Sequence, residues 1–125
     1  MVTSLLDTNI LVDLIRGYAP ATAWIATQQQ PGISRIVYME VVQGAPDKNK
    51  QRQALKFLQN FVLAEPVQDD FEWATRQLVQ FHLAHNVGMV DCLIAASAHR
   101  LNMTFFTRNL KHFSPLLGPL VQQPY

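Results

Sequence analysis

Short, uninterrupted apolar runs alternate with segments of helical period along this chain. That alternation restricts the fold more than any other feature. Val2 to Leu6, the start of "ISRIVYMEVVQGA", "VLAEPV" and "MTFFT" read as strands. None alternates apolar with polar residues, so both faces of each are expected to be buried. Between them lie helical stretches. Asn9 to Arg16 turns Ile10 and Leu14 inward and stops at Gly17. "APATAWIATQQQPG" reads as a helix broken at Pro31 and Gly32, and the next begins near Tyr38. Others run from about Asn49 to Phe61, from Asp69–Asp70 to about His85, and through "VDCLIAASAHRL" after Gly88. "LVQ" near the end reads as a last edge strand. Strands separated by helices imply a parallel sheet with right-handed crossovers. The expectation is an α/β three-layer sandwich, with four to five short, mostly parallel strands and helices on both faces.

The 125 residues fit one domain, 1–125. A hydrophobic fraction of 49% allows a sizeable core. The net charge of +1 gives no global signature for nucleic acid, so any basic surface must be local. Cys92 is the only cysteine, which excludes an internal disulfide and a cysteine-built zinc site. "SLLDTNILVDLI" is interrupted by Asp7 and Asp13, so it reads neither as a signal peptide nor as a membrane span. A cytoplasmic protein with no membrane segment is expected.

Ligand sites in open parallel sheets lie past the carboxyl ends of the strands. Asp7 ends the first strand, and Glu40 follows the second within its helix. Thr107, Arg108 and Asn109 follow "MTFF", and Asp91 opens the helix that feeds that strand. These positions are expected to converge. Each has a plainer explanation: Asp7 could cap the first helix, and Asp91 could be an ordinary helix-start acid. Glu40, inside "IVYMEVV", needs a partner if buried. Clustered carboxylates repel, and a cation removes that cost. Oxygen-only ligands select hard ions, so Asp7, Glu40 and Asp91 read as ligands of Mg²⁺ or Mn²⁺. Such ions orient a phosphodiester and activate water.

"LLDTNILVDLIRG", "YMEVVQG", "VDCLIAASA" and "FFTRNLKHF" together resemble the landmarks of a PIN domain, most closely the VapC-type toxin ribonucleases of toxin–antitoxin pairs. The resemblance covers essentially the whole chain. It implies a PIN-like sandwich, a Mg²⁺- or Mn²⁺-dependent endoribonuclease acting on RNA, and a cognate VapB-like antitoxin. Asp7, Glu40 and Asp91 match the family's regular acids; with Asn109 they form the implied catalytic set. Thr8 and Asn9 match the polar pair after the first Asp, and Thr107 and Asn109 match the "T-x-N" loop. One departure stands out. His112 occupies the place where many members carry a further acid, and Asn109 is not acidic either.

Arg108 and Lys111 flank the expected site as RNA-phosphate contacts. "DKNKQR" is a second candidate basic loop, or simply a solvated helix start. His82 and His85 have metal-binding spacing but no further nitrogen or sulfur ligand nearby. Cys92 reads as a small buried residue. Most of Trp24, Phe57, Phe61, Phe71, Trp73 and Phe81 are expected in the core. An apolar excess on the second and fourth helices would form a homodimer or antitoxin face. Two other functions compete: a PIN-fold RNA- or protein-binding module with lost catalysis, and a haloacid-dehalogenase-like phosphotransferase. The latter wants an Asp where Asn9 stands.

Overall fold

The computed structural model describes Met1 to Tyr125. Its centre is a five-stranded sheet in the order β3–β2–β1–β4–β5. The strands are β1 (Ser4–Leu6), β2 (Pro31–Ser34), β3 (Val62–Ala64), β4 (Thr104–Phe106) and β5 (Val121–Gln122). Every pairing is parallel. Seven α-helices flank the sheet: α1 (Thr8–Ile15), α2 (Ala19–Ile25), α3 (Arg35–Gln43), α4 (Lys48–Leu58), α5 (Gln68–His85), α6 (Met89–Leu101) and α7 (Leu110–Leu117). No helix is long and apolar enough to cross a membrane.

Local chemistry sets most boundaries. Asp7 is extended and its carboxylate accepts from the Thr8 N–H, which starts α1. Gly17, at φ +74°, ends that segment in a conformation most residues avoid. Helix α3 begins at Arg35, not near Tyr38, because the Ser34 hydroxyl accepts from the Val37 N–H at 3.1 Å. Asp47 caps α4 in the same way through the Lys50 N–H. Asn86 and Asn102 close α5 and α6 with left-handed backbones.

Three expectations need correction. Pro31 and Gly32 do not merely break a helix; they open β2, where proline is tolerated as the first residue. Helix α7 has no counterpart in the sequence reading. It is short and contains Pro115, so propensity argues against it. It forms because Phe113, Leu116 and Leu117 are buried, with Phe113 lying 4.7 Å from Phe105 between ring centroids. The apolar excess is on α5, not on the second and fourth helices. Val79 and Leu83, four residues apart on one face of α5, are 79% and 95% exposed. Trp24 on α2 is instead packed edge-on against Phe106 at 4.8 Å.

The core is one cluster of 22 buried residues. Helix α6 contributes Ile94, Ala95, Ala96 and Ala98, small enough for close packing, and Cys92 is buried there as expected. Gly32 reports how tightly β2 is flanked. A methyl group there would stand 2.8 Å from Val2 Cγ1 and 3.0 Å from the Val62 carbonyl oxygen. Gly32→Ala is expected to lower stability by about 1–3 kcal/mol. Urea denaturation of both proteins checks this, and equal midpoints would show that β2 has room to move.

Candidate active site

The central strand β1 and its neighbour β4 present their carboxyl ends side by side. Leu6 of β1 is in register with Phe106 of β4. The next residues, Asp7 and Thr107, are both buried, and the Thr107 hydroxyl donates to Asp7 Oδ2 at 2.6 Å. Asp7 Oδ1 accepts from the Thr8 N–H at 2.7 Å. Both oxygens are therefore held. The Thr8 hydroxyl turns the other way and donates to Glu40 Oε1 on α3.

On the far side, the Asn109 N–H donates to the Thr107 hydroxyl oxygen at 2.9 Å. His112 Nδ1 lies 3.2 Å from both Asn109 Nδ2 and Asp91 Oδ2. With Nδ1 protonated the ring donates to Asp91; with Nδ1 bare it accepts from Asn109. A continuous polar arc thus runs Glu40–Thr8–Asp7–Thr107–Asn109–His112–Asp91. Asn9 joins from the first turn of α1, where Oδ1 accepts from the Arg108 N–H at 3.2 Å. Lys111 lies exposed on the first turn of α7, beside this arc.

Arg108 behaves differently from its neighbours. Its guanidinium turns back to Asp13 Oδ2 at 2.9 Å, and the Tyr125 hydroxyl donates to the same oxygen at 2.6 Å. Asp13 holds the Arg108 pKa above its ordinary value, while burial and Asp13 together raise that of Tyr125. Neither Asp13 nor Tyr125 was a candidate from sequence. The available signal was an acid facing inward within the apolar helix "NILVDLI". His82 Nδ1 lies 2.7 Å from the Val87 carbonyl oxygen, and His85 lies beside Phe81, away from the arc.

No Lys or Arg pairs with Asp7, Glu40 or Asp91; the arginine ion pairs go to Glu65, Asp70 and Asp13. Burial pushes the Asp7 carboxyl up to about 6, against the bonds from Thr107 and Thr8, and the charges of Glu40 and Asp91 add to the rise. As the side chains lie, no three His, Cys, Asp or Glu groups are gathered closely enough to hold one ion. The chemistry of the set nevertheless fits a hard divalent cation. It offers carboxylate oxygens within electrostatic reach of one another and lacks a Lys or Arg partner.

The PIN domain family matches residues 4–114. The chain belongs to the PIN domain family. This PIN domain is 29% identical over 117 residues to a ribonuclease VapC of Rickettsia bellii, covering 87% of each chain. It is similar to a chain of a toxin–antitoxin complex from Klebsiella pneumoniae, at 32% identity and a TM-score of 0.79, with 98% of each covered. It also shares its fold with a chain of DNA-bound VapBC from Salmonella typhimurium, at 20% identity and a TM-score of 0.81 over both full chains. Homology to the VapC ribonuclease toxins is distant and spans most of the chain.

The raised Asp7 carboxyl has a consequence for the metal-free PIN domain. Its folded pKa of about 6 exceeds the reference 3.8, so the folded state binds the extra proton between those values. Folding is therefore penalised progressively as pH rises from about 4 to 6, by at most about 3 kcal/mol. Asp7→Asn removes the charge and keeps an acceptor for the Thr8 N–H, but disturbs the Thr107 bond. In chelator at pH 7.5 the variant should be about 1–2 kcal/mol more stable than wild type. The difference should shrink or reverse at pH 4.5. Denaturation at the two pH values checks this; an equal difference at both would show that Asp7 does not carry it.

Proposed function

We propose that this PIN domain, residues 1–125 acting as one unit, is a metal-dependent endoribonuclease serving as the toxin of a VapBC-type pair in the cytoplasm. The observation that carries the reading is Asp7: a buried carboxylate without a basic partner, at the centre of the sheet edge, in an arc that also holds Glu40 and Asp91. The distant VapC ribonuclease relatives support RNA as the substrate. The toxin–antitoxin complexes among structural relatives support an antitoxin partner.

Asp7, Glu40 and Asp91 would hold Mg²⁺ or Mn²⁺. A bound ion supplies Lewis-acid stabilisation of the phosphodiester and a more acidic water. The remaining roles belong to the chain. Thr107 and the Thr8 N–H fix the direction of the Asp7 carboxylate. Thr8 restrains Glu40 through its hydroxyl, and Asn9 ties α1 to the Arg108 backbone. Asn109 places an amide beside His112 and Asp91, where it can bond a phosphate oxygen. Lys111 adds an exposed cation at the rim, whereas the Arg108 charge is shared with Asp13. His112 beside Asp91, in place of an acid, favours a second reading: a PIN-fold binding module with weak or lost catalysis.

Purified protein incubated with RNA and Mn²⁺ or Mg²⁺ separates the two. Cleavage is expected with either ion, none with chelator, and a loss of at least about a hundredfold in Asp7→Asn and Asp91→Asn. Calorimetric metal affinity should fall in each variant. Metal-independent cleavage, or unchanged affinity in both variants, would overturn the nuclease reading; RNA binding without cleavage would support the binding module.

The exposed Val79–Leu83 face of α5 supports a homodimer. Sedimentation at micromolar concentration should give a dimer for wild type and a monomer for Leu83→Glu. A monomeric wild type would remove the dimer.

A further inference from the structure

A cleft of about 350 Å³ opens between α1, α3 and α4. Its near end is Thr8 and Glu40, so it is continuous with the polar arc. Its walls include Val12, Ile15 and Ala54, and Arg16 and Lys50 also line it. The volume lies at the low end of the ~300–1,000 Å³ range for small-ligand pockets.

The two cations distinguish this cleft from an ordinary crevice. Arg16 and Lys50 are both exposed, and neither forms an ion pair. Arg108, on the other side of the arc, has its charge matched by Asp13. Unpaired positive charge flanking the acids therefore stands at Lys111 alone on that side and at two cations, Arg16 and Lys50, on the α1–α4 side. Apolar wall, two free cations and a polar end together match the parts of a nucleotide.

We propose that this cleft is a substrate subsite that takes one nucleotide of single-stranded RNA next to the scissile phosphodiester. The base lies against Val12 and Ile15, and Arg16 and Lys50 meet the flanking phosphates. The inference rests on RNA being the substrate. Single strands are required because a base stacked inside a duplex cannot turn into a side cleft. A peptide occupant would need acidic side chains spaced to meet both cations, whereas RNA carries a phosphate at every step. Lys50 thereby gives the "DKNKQR" stretch a role at the active-site cleft.

The test is fluorescence anisotropy with a short fluorescein-labelled single-stranded RNA in chelator, where binding is read without cleavage. Arg16→Gln and Lys50→Gln should each weaken binding about fivefold. Each should also reduce the slope of log affinity against log salt by about 0.7. Ala45→Phe, which narrows the cleft, should weaken binding and leave the slope unchanged. Arg76→Gln, on α5 and away from the cleft, should bind like wild type. The same RNA annealed into a duplex should bind more weakly than the single strand. Unchanged affinity and slope in the Arg16→Gln/Lys50→Gln double variant would overturn the subsite. So would a double variant that keeps its RNA affinity and no longer co-purifies with a co-expressed antitoxin, since that assigns the cleft to protein. Cleavage assays in Mn²⁺ run alongside keep the two proposals apart. This binding pattern without cleavage removes the nuclease and leaves the cleft as a nucleotide site of an RNA-binding module; cleavage without this pattern removes the subsite alone.

Discussion

The hydrogen bond from Thr107 to Asp7 joins the central strand β1 to its neighbour β4 at the edge where the polar arc assembles. It spans a hundred residues of sequence. Its existence requires β1 and β4 to be neighbours in register, which the parallel pairing of Leu5 with Phe105 and Leu6 with Phe106 provides. It also requires an acid to stay in a nearly dry place. A carboxylate there is costly unless donors or a cation meet it. Thr107 and the Thr8 N–H meet its oxygens, yet the carboxyl still rises to about 6. The fold thus holds Asp7 in place without fully satisfying its charge.

The remainder of the arc follows from helices attached to the same edge. In a parallel sheet each strand hands its chain to a helix at the carboxyl end, so helix starts gather where strands finish. Thr8 and Asn9 sit in the first turn of α1 directly after β1, and Glu40 lies farther along α3 after β2. Asp91 arrives by the opposite route, since α6 starts at this edge and runs back to feed β4. Helix α7 then returns His112 to Asp91. The bond between Thr8 and Glu40 and the contact between His112 and Asp91 are consequences of this traffic.

A second tie stabilises the loop that carries Thr107 and Asn109. Asp13 accepts from both Arg108 and the Tyr125 hydroxyl, linking α1, the loop after β4 and the last residue of the chain. Tyr125 also packs near Tyr18 and Trp24, with ring centroids 5.9 and 6.1 Å away. Asp13 is buried, so its charge is matched by a guanidinium and a hydroxyl. The same arrangement leaves Arg108 less free for solvent and ligands than its exposed position suggests.

The sequence by itself determined the alternation of strands and helices, the parallel sheet and the edge on which Asp7, Glu40, Asp91 and Asn109 gather. Those features are local or topological: apolar runs set the strands, caps and glycines set the boundaries, and parallel connection sets the edge. Only the tertiary structure decided α7, the Asp13–Arg108–Tyr125 tie and the cleft shared by Arg16 and Lys50. Helix α7 contradicts its own propensity, with Pro115 inside it, and exists because Phe113 and Leu116 are buried. Arg108 looked from sequence like a free cation at the site, because nothing in "TRN" reveals an acid ninety-five residues earlier. Arg16 caps the end of α1 and Lys50 lies in the first turn of α4, and their meeting depends on how α1 and α4 pack beside α3. Periodicity and capping are written in neighbouring residues; the pairing of distant charges is set by packing, which no stretch of sequence contains.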